Sequence, residues 1–140
     1  MVIADWRADW IGLGLAERLA AAGSQVTLCV NGAMAGETMQ LYARNHYVGR
    51  LHKLGIDIRT HVRLFGADED TAYFQDTLTG EAVVIDETDT LVLALGHVPD
   101  DGIAAELEGL AAEIHLIGDC VAARTAEEAV YEGMIVGRKI

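Results

Sequence analysis

Residues 1 to 30 read MVIADWRADWIGLGLAERLAAAGSQVTLCV, and this stretch decides the fold. The apolar run from Met1 to Asp5 predicts a strand. Apolar residues at every third or fourth position predict a helix from Trp10 to Ala22, which Gly23 ends. The continuous apolar and β-branched run from Gln25 to Val30 is typical of a strand covered on both faces. A strand, a helix and a strand within so few residues predict a right-handed crossover and a parallel pair.

The rest of the chain continues this alternation and adds a meander. Gly55 closes a second amphipathic helix, and a turn at Thr79 and Gly80 predicts a hairpin. The expected elements are a helix at Leu41 to Leu54, strands within residues 56–66, at Thr71 to Gln75, Glu81 to Ile85, Thr90 to Leu95 and Glu113 to Gly118, a short helix at Ile103 to Leu110 and a final helix from Thr125. This order predicts an α/β protein with a Rossmann-like three-layer fold, a mostly parallel sheet and a β-meander.

Composition narrows the class of protein further. The chain has 140 residues, 51% of them hydrophobic and 23% charged, which is typical of one globular domain. Its net charge of −12 argues against nucleic acid as a partner, since a nucleic-acid site needs a basic face. We find neither an apolar run long enough to span a bilayer nor a basic leader, so we expect no membrane partner and a cytoplasmic location.

Few residues indicate catalysis or metal binding. Cys29 and Cys120 lie far apart and show no metal-ligand spacing, so we expect buried, reduced thiols. The histidines show no such spacing either, and no nucleophile has a base beside it. We therefore predict no metal ligand and no catalytic residue within this chain.

The first turn departs from the dinucleotide-binding pattern G-x-G-x-x-G. With Gly12 as the third glycine, which allows the helix to pack closely on the strand, Arg7 and Asp9 stand at the two phosphate-binding positions. Their side chains fill space that a pyrophosphate needs, and Asp9 would repel it, although Arg7 could contact a phosphate. The second strand ends at Asn31 without the acid that binds ribose. This favours a Rossmann scaffold with a degenerate or empty nicotinamide site.

A second signal lies near the carboxyl end of the sequence. Gly118 and Asp119 follow the last predicted strand, where an acid can bind sugar hydroxyls and a helix N-terminus can face a phosphate or flavin. By spacing alone, a simple turn is an equally good interpretation of this pair. Thr125 and Glu128 have the spacing of a capping box, which places the start of the final helix close behind Asp119.

The segments LVLALGHVPDD and EIHLIGDCVAARTAEEAVYEGMIVGRKI resemble the carboxyl-terminal part of a flavoenzyme family. This family includes trimethylamine, dimethylamine and histamine dehydrogenases, 2,4-dienoyl-CoA reductase and related N-demethylases. It joins an FMN-bearing TIM barrel and a 4Fe-4S cluster to two Rossmann-like domains. The opening of the chain is similar to the amine-dehydrogenase side of the family.

The resemblance implies an architecture for the chain. Residues 1–96 correspond to an NAD(P)-binding-like insert, and residues 97–140 to the returning segment of an FAD- or ADP-binding-like module. The whole chain would then be a compact fragment of a larger enzyme, without turnover on its own. FMN and 4Fe-4S would belong to the missing parts, and the partners would be the N-terminal FMN barrel and an electron-transfer flavoprotein.

Only matching residues carry the family's functional roles. The resemblance implies that Asp119 contacts ribityl or ribose hydroxyls of FAD or ADP, that Gly118 allows this approach, and that the helix from Thr125 faces the same ligand. In the insert, Gly12 and Gly14 match, but the phosphate glycines and the ribose acid do not, which makes NAD(P)H a doubtful ligand.

Two other interpretations remain open from the sequence. The parent could be a reductase of the dienoyl-CoA type in which this domain binds NAD(P)H. Alternatively, the chain could be a non-enzymatic nucleotide-binding or assembly module.

Overall fold

A parallel strand–helix–strand unit opens the chain, followed by a second helix, a meander and a returning strand. The computed structural model describes residues 1–110 and 113–140. Its elements are β1 (Val2–Asp5), α1 (Trp10–Ala21), β2 (Thr27–Val30), α2 (Leu41–Lys53), β3 (Asp57–Arg59), β4 (Val62–Asp68), β5 (Thr71–Asp76), β6 (Ala82–Ile85), β7 (Leu91–Ala94), α3 (Gly102–Glu106), a 3₁₀ turn (Gly118–Cys120) and α4 (Ala126–Gly137).

The chain divides into two compact units, Met1–Gly96 and His97–Ile140. In the first unit, the parallel strands have the order β3-β2-β1-β7, with β1 paired to both β2 and β7. The strands β4, β5 and β6 form a separate antiparallel sheet in sequence order. This is the mixed α/β fold that the sequence predicts, with a parallel sheet and a meander.

Two hydrophobic cores cover opposite faces of the parallel sheet. Successive residues of a strand point to opposite faces, and in β1 the buried Ile3 joins the core formed with α1 and α2. Its neighbours Val2 and Ala4 join the other core, which includes Phe74 of the meander. Helices, parallel sheet and meander therefore form three layers, and Asp5 follows Ile3 onto the helix side.

The second unit has little buried surface. Gly118 is the one buried residue in the part of this unit that the structure describes. Large apolar side chains of α4 are exposed instead, among them Val130, Tyr131 and Met134. Such exposure of apolar surface is typical of a segment that packs against other protein.

Most predicted elements are confirmed with small shifts at their ends, including the hairpin of β5 and β6 and the returning strand β7. The predicted strand at Glu113 to Gly118 is wrong, since these residues pair with no strand of the described chain. The apolar pattern of EIHLIG suits a strand, but a strand forms only where a neighbour supplies hydrogen bonds to its backbone. The helix expected at Ile103 to Leu110 is shorter, ending at Glu106.

Candidate functional site

The turn between β1 and α1 (residues 6–9) stands where a dinucleotide-binding domain holds its pyrophosphate. Asp9 is the N-cap residue of α1, and its carboxylate accepts a hydrogen bond of 2.9 Å from the Ile11 N–H. A second carboxylate oxygen of Asp9 lies 3.1 Å from Nε of Arg7. A helix N-terminus attracts an anion through its free N–H groups and its dipole. Here the chain supplies that anion itself.

Gly12 has a packing role in this turn. A Cβ added there would lie 2.6 Å from Cγ of Asp5 and closer still to its Oδ2. Only a glycine lets the first turn of α1 approach the carboxyl end of β1 this closely. Gly14, two residues later, would place a Cβ in open space, so nothing in the structure requires a glycine there.

The sequence did not reveal the burial of Asp5. This carboxyl is 2% exposed, and burial raises its pKa to about 6, with the negative charge of Asp9 adding to the rise. The Ala8 N–H donates a hydrogen bond of 2.9 Å to Oδ1 and opposes the shift. An acid at the end of a strand is commonly an ordinary turn residue. Only the close approach of Gly12, which the structure shows, marks this one as buried.

In the connection after β2, too, polar groups form hydrogen bonds within the chain. No acid follows the strand directly, and the Asn31 N–H donates to the Asp5 carbonyl at 3.0 Å. Glu37, further along the connection, turns its carboxylate back onto its own backbone and accepts from the Ala33 N–H at 2.9 Å. An acid that binds ribose would point away from the backbone toward the ligand.

Two tryptophans flank the first turn at the surface. Trp6 is 47% exposed and Trp10 is 65% exposed. The backbone N–H of Trp6 donates to the Ala94 carbonyl at 3.1 Å, which ties the turn to β7. The two rings therefore contribute little to the core and lie beside the turn, as their positions in the sequence indicate.

In the second unit, Gly118 and Asp119 lie in the 3₁₀ turn before α4. Gly118 has a φ of +68°, and a Cβ there would come within 3.3 Å of Ala129. Both the backbone conformation and the contact with α4 favour glycine. The Asp119 side chain is exposed, and its Oδ1 lies 3.5 Å from the backbone nitrogen of Arg124. Its carboxylate is accessible to a ligand.

Glu132 of α4 holds this turn in place, a role that the sequence did not indicate. One of its oxygens accepts the Gly118 N–H at 2.7 Å, and the other contacts the Arg124 guanidinium. The bond from Gly118 and the contact with Arg124 lower the pKa of Glu132. The spacing of fourteen residues from Gly118 is not a helix-capping pattern, so this contact depends on the fold.

The predicted start of the last helix is confirmed. Thr125 is the N-cap residue of α4, and its N–H donates to the Glu128 carboxylate at 3.0 Å. The Thr125 hydroxyl also contacts this carboxylate. Glu128 thus occupies the first turn of the helix, in the manner of a capping box.

Both cysteines are free thiols. Cys29 is buried in β2, and burial raises its pKa to about 12. Cys120 is half-buried, and its thiol lies 2.8 Å from the Ile117 carbonyl. Within residues 1–110 and 113–140, no three side chains of His, Cys, Asp or Glu are placed to share a metal ion. In the same residues, no helix has the length and apolar character needed to cross a membrane.

A parallel sheet in the order β3-β2-β1-β7, with a turn and a helix N-terminus at its carboxyl edge, defines a Rossmann-like fold. No protein-family model and no curated protein sequence matches the chain. Solved structures do match it along nearly its whole length, as follows.

Histamine dehydrogenase from Rhizobium sp. 4-9 superimposes with a TM-score of 0.88 at 22% identity, over 99% of this chain and 22% of that one. The 6-hydroxypseudooxynicotine amine oxidase from Pseudomonas geniculata N1 gives 0.87 at 22% identity, over 97% and 21%. A 2-naphthoyl-CoA reductase gives 0.80 at 26% identity, over 99% and 21%. All three are oxidoreductases by name, and this chain spans about a fifth of their length.

These matches confirm, at the level of the fold, the resemblance to the trimethylamine dehydrogenase and dienoyl-CoA reductase family. They extend over both units of the chain. The sequence motifs near the carboxyl end and the fold of the whole chain therefore indicate the same group of proteins.

Proposed function

We propose that this chain is the carboxyl-terminal, nucleotide-binding-like region of a flavin-dependent oxidoreductase that oxidises or demethylates methylated amines. The fold shared with histamine dehydrogenase and an amine oxidase supports this assignment. An FMN barrel and a 4Fe-4S cluster, implied by the resemblance, would lie in the remaining four-fifths of such a protein. Amine oxidation would take place at that FMN, so the isolated chain would have no turnover.

The observation that carries the proposal is the Asp9 carboxylate at the N-terminus of α1. A nicotinamide dinucleotide would have to bring its pyrophosphate to this helix end. The pyrophosphate would meet the Asp9 carboxylate, which already accepts a hydrogen bond from the Ile11 N–H and pairs with Arg7. Like charges repel, and displacing Asp9 also breaks the cap. We infer that this domain keeps the Rossmann shape without its nicotinamide site.

A domain without NAD(P)H suits an enzyme that takes electrons from its amine substrate. Such an enzyme needs an external acceptor, and the resemblance implies an electron-transfer flavoprotein. Both proteins would work in the cytoplasm.

The ligand contact that we propose for this chain is in the second unit. The exposed Asp119 carboxylate would accept hydroxyl groups of the ribityl or ribose part of FAD or ADP. Gly118 would allow the close approach, and the N-terminus of α4 at Thr125 would face the same ligand. The exposed apolar side chains of this unit support its packing against other parts of the parent protein.

The second candidate is a reductase of the dienoyl-CoA type, in which the first unit binds NAD(P)H. It is favoured by the 2-naphthoyl-CoA reductase, which shares 26% of its residues with this chain over the aligned region. In that case Asp9 would have to leave the helix end when the cofactor binds.

Flavin reduction in the full-length polypeptide distinguishes the two candidates. Under anaerobic conditions, trimethylamine, dimethylamine or histamine should bleach the flavin absorbance, and NADH or NADPH at the same concentration should not. Rapid bleaching by NADH would support the reductase and reject the amine enzyme. A full-length protein that purifies without flavin would reject both in favour of an assembly module.

A further inference from the structure

The Asp5 side chain is enclosed beneath the first turn although it carries an ionisable group. It is 2% exposed, its Oδ1 accepts a hydrogen bond of 2.9 Å from the Ala8 N–H, and the Arg7 backbone also hydrogen-bonds this carboxyl. Oδ2 is buried without any partner and faces Gly12. An ionised carboxylate in such a place has lost its water and gained two backbone hydrogen bonds, which do not outweigh the cost of burial.

The turn is built around this carboxyl. Ala8 has a φ of +51°, a left-handed conformation that costs energy for a residue with a Cβ. It is nevertheless 4% exposed and held by the bond from its N–H to Asp5. Its carbonyl accepts both the N–H and the hydroxyl of Thr38, each at 3.2 Å. The Asp5 carboxyl thus anchors residues 6–9. Through Ala8, these residues anchor the connection between β2 and α2.

The charges around Asp5 do not compensate its ionised form. Asp9, at the start of α1, has the same sign and raises the pKa of Asp5 further. Arg7, in the turn itself, pairs with Asp9. From β2 and β7, the adjoining residues Asn31 and Ala94 contribute backbone hydrogen bonds to Asp5 and Trp6. Burial outweighs the hydrogen bonds from Ala8 and Arg7, so the pKa of Asp5 stays raised.

We propose that Asp5 is a proton-dependent latch: protonation of its carboxyl favours the closed turn at residues 6–9, and loss of the proton weakens the attachment of the turn to the sheet edge. This proposal does not depend on whether any nucleotide binds the chain. Release would also free the Ala8 carbonyl from Thr38, so the two connections at this edge would loosen together.

The direction of the pH dependence follows from the pKa. Burial raises the pKa of Asp5 from 3.8 to about 6 in the closed turn, so the closed turn binds the proton more tightly than the open one. The closed turn is therefore favoured most below the open-state pKa and loses stability as pH rises through about 6. At higher pH the loss is complete, and no further change is expected.

Nuclear magnetic resonance of the wild-type chain tests the latch directly. The side-chain carboxyl carbon of Asp5 should titrate with a midpoint near the pKa of about 6. Amide exchange of Ala8 and Thr38, corrected for intrinsic rates, should become about tenfold less protected between roughly pH 5 and 7.5, by linkage. This range stays above the isoelectric point near 4.6, where the chain is least soluble.

Two variants separate the latch from general pH effects. Asp5→Asn should make the protection of Ala8 independent of pH, whereas Asp89→Asn, at an exposed acid of the same unit, should leave the wild-type profile unchanged. A midpoint of Asp5 near 4 would overturn the proposal. So would a midpoint near 6 with flat protection of Ala8 and Thr38. Both outcomes are read from the wild type, so they hold even if Asp5→Asn does not fold.

Discussion

At the scale of single residues, Gly12 and Gly14 differ although both lie in α1 and the resemblance implied the same role for both. Gly12 abuts the Asp5 carboxyl, whereas Gly14 faces open space. Overpacking a close contact costs about 1–3 kcal/mol, and replacing a helical glycine by alanine in open space gains roughly 0.5–1 kcal/mol. The two positions therefore respond in opposite directions to the same change.

We predict that Gly12→Ala lowers the free energy of unfolding by about 1–3 kcal/mol, and that Gly14→Ala raises it slightly. Denaturant unfolding followed by tryptophan fluorescence measures this, because Trp6 and Trp10 are the only tryptophans and both lie in the first unit. An equal effect of the two substitutions would contradict the packing role of Gly12.

At the scale of elements, the meander packs on the parallel sheet through a core whose largest side chain is Phe74. Phe74 of β5 is 2% exposed and packs in the core with Val2 and Ala4 of β1. Phe65 of β4 lies at the irregularity in the β4–β5 pairing and is 84% exposed. The two phenylalanines thus provide a matched pair in adjacent strands.

Phe74→Ala should destabilise the first unit by about 3–5 kcal/mol through the cavity that it leaves, and Phe65→Ala should have almost no effect. Urea midpoints from the same fluorescence signal give both values. A large loss from Phe65→Ala would show that the exposed face of the meander is also packed.

Parts of these elements could be predicted from sequence because their signals are local. The periodic apolar residues of α1, Gly23 after it and the Thr125–Glu128 spacing depend on neighbours in the chain, and the structure confirms the elements that they predict. The N-cap role of Asp9 was not predicted, although an acid directly before an apolar helix is an N-cap signal. The prediction of a strand at Glu113 to Gly118 was wrong, because strand formation depends on a partner strand that no local pattern specifies.

The candidate site was less accessible to sequence reasoning than the fold. The sequence predicted that Arg7 and Asp9 stand at the phosphate positions. In the structure Asp9 caps α1 and pairs with Arg7. The burial of Asp5 and the hold of Glu132 on Gly118 are tertiary contacts between distant segments. Neither residue type nor spacing distinguishes them from ordinary surface acids.

At the scale of the whole molecule, the buried apolar residues of the described chain lie in one unit. Both hydrophobic cores consist of residues between Val2 and Ile85. In the described part of the second unit, only Gly118 is buried. The stability of the first unit should therefore arise from its own residues.

We predict that residues 1–96 alone unfold cooperatively, with nearly the same denaturant midpoint as the full chain by tryptophan fluorescence. Residues 97–140 alone should exchange their amides rapidly, because the described part of this unit forms no core. An unfolded 1–96 segment would contradict the division of stability between the units.

The central claim is that the first turn holds its own anion and is closed to a nicotinamide dinucleotide. Titration of the ¹⁵N-labelled chain with NADH, followed at the amides of residues 6–12, tests it most directly. We expect no saturable shifts up to about 1 mM NADH, the upper end of ordinary Michaelis constants, and stronger shifts in the Arg7→Gly, Asp9→Gly double variant. Saturation of the wild-type turn at micromolar NADH would contradict the claim.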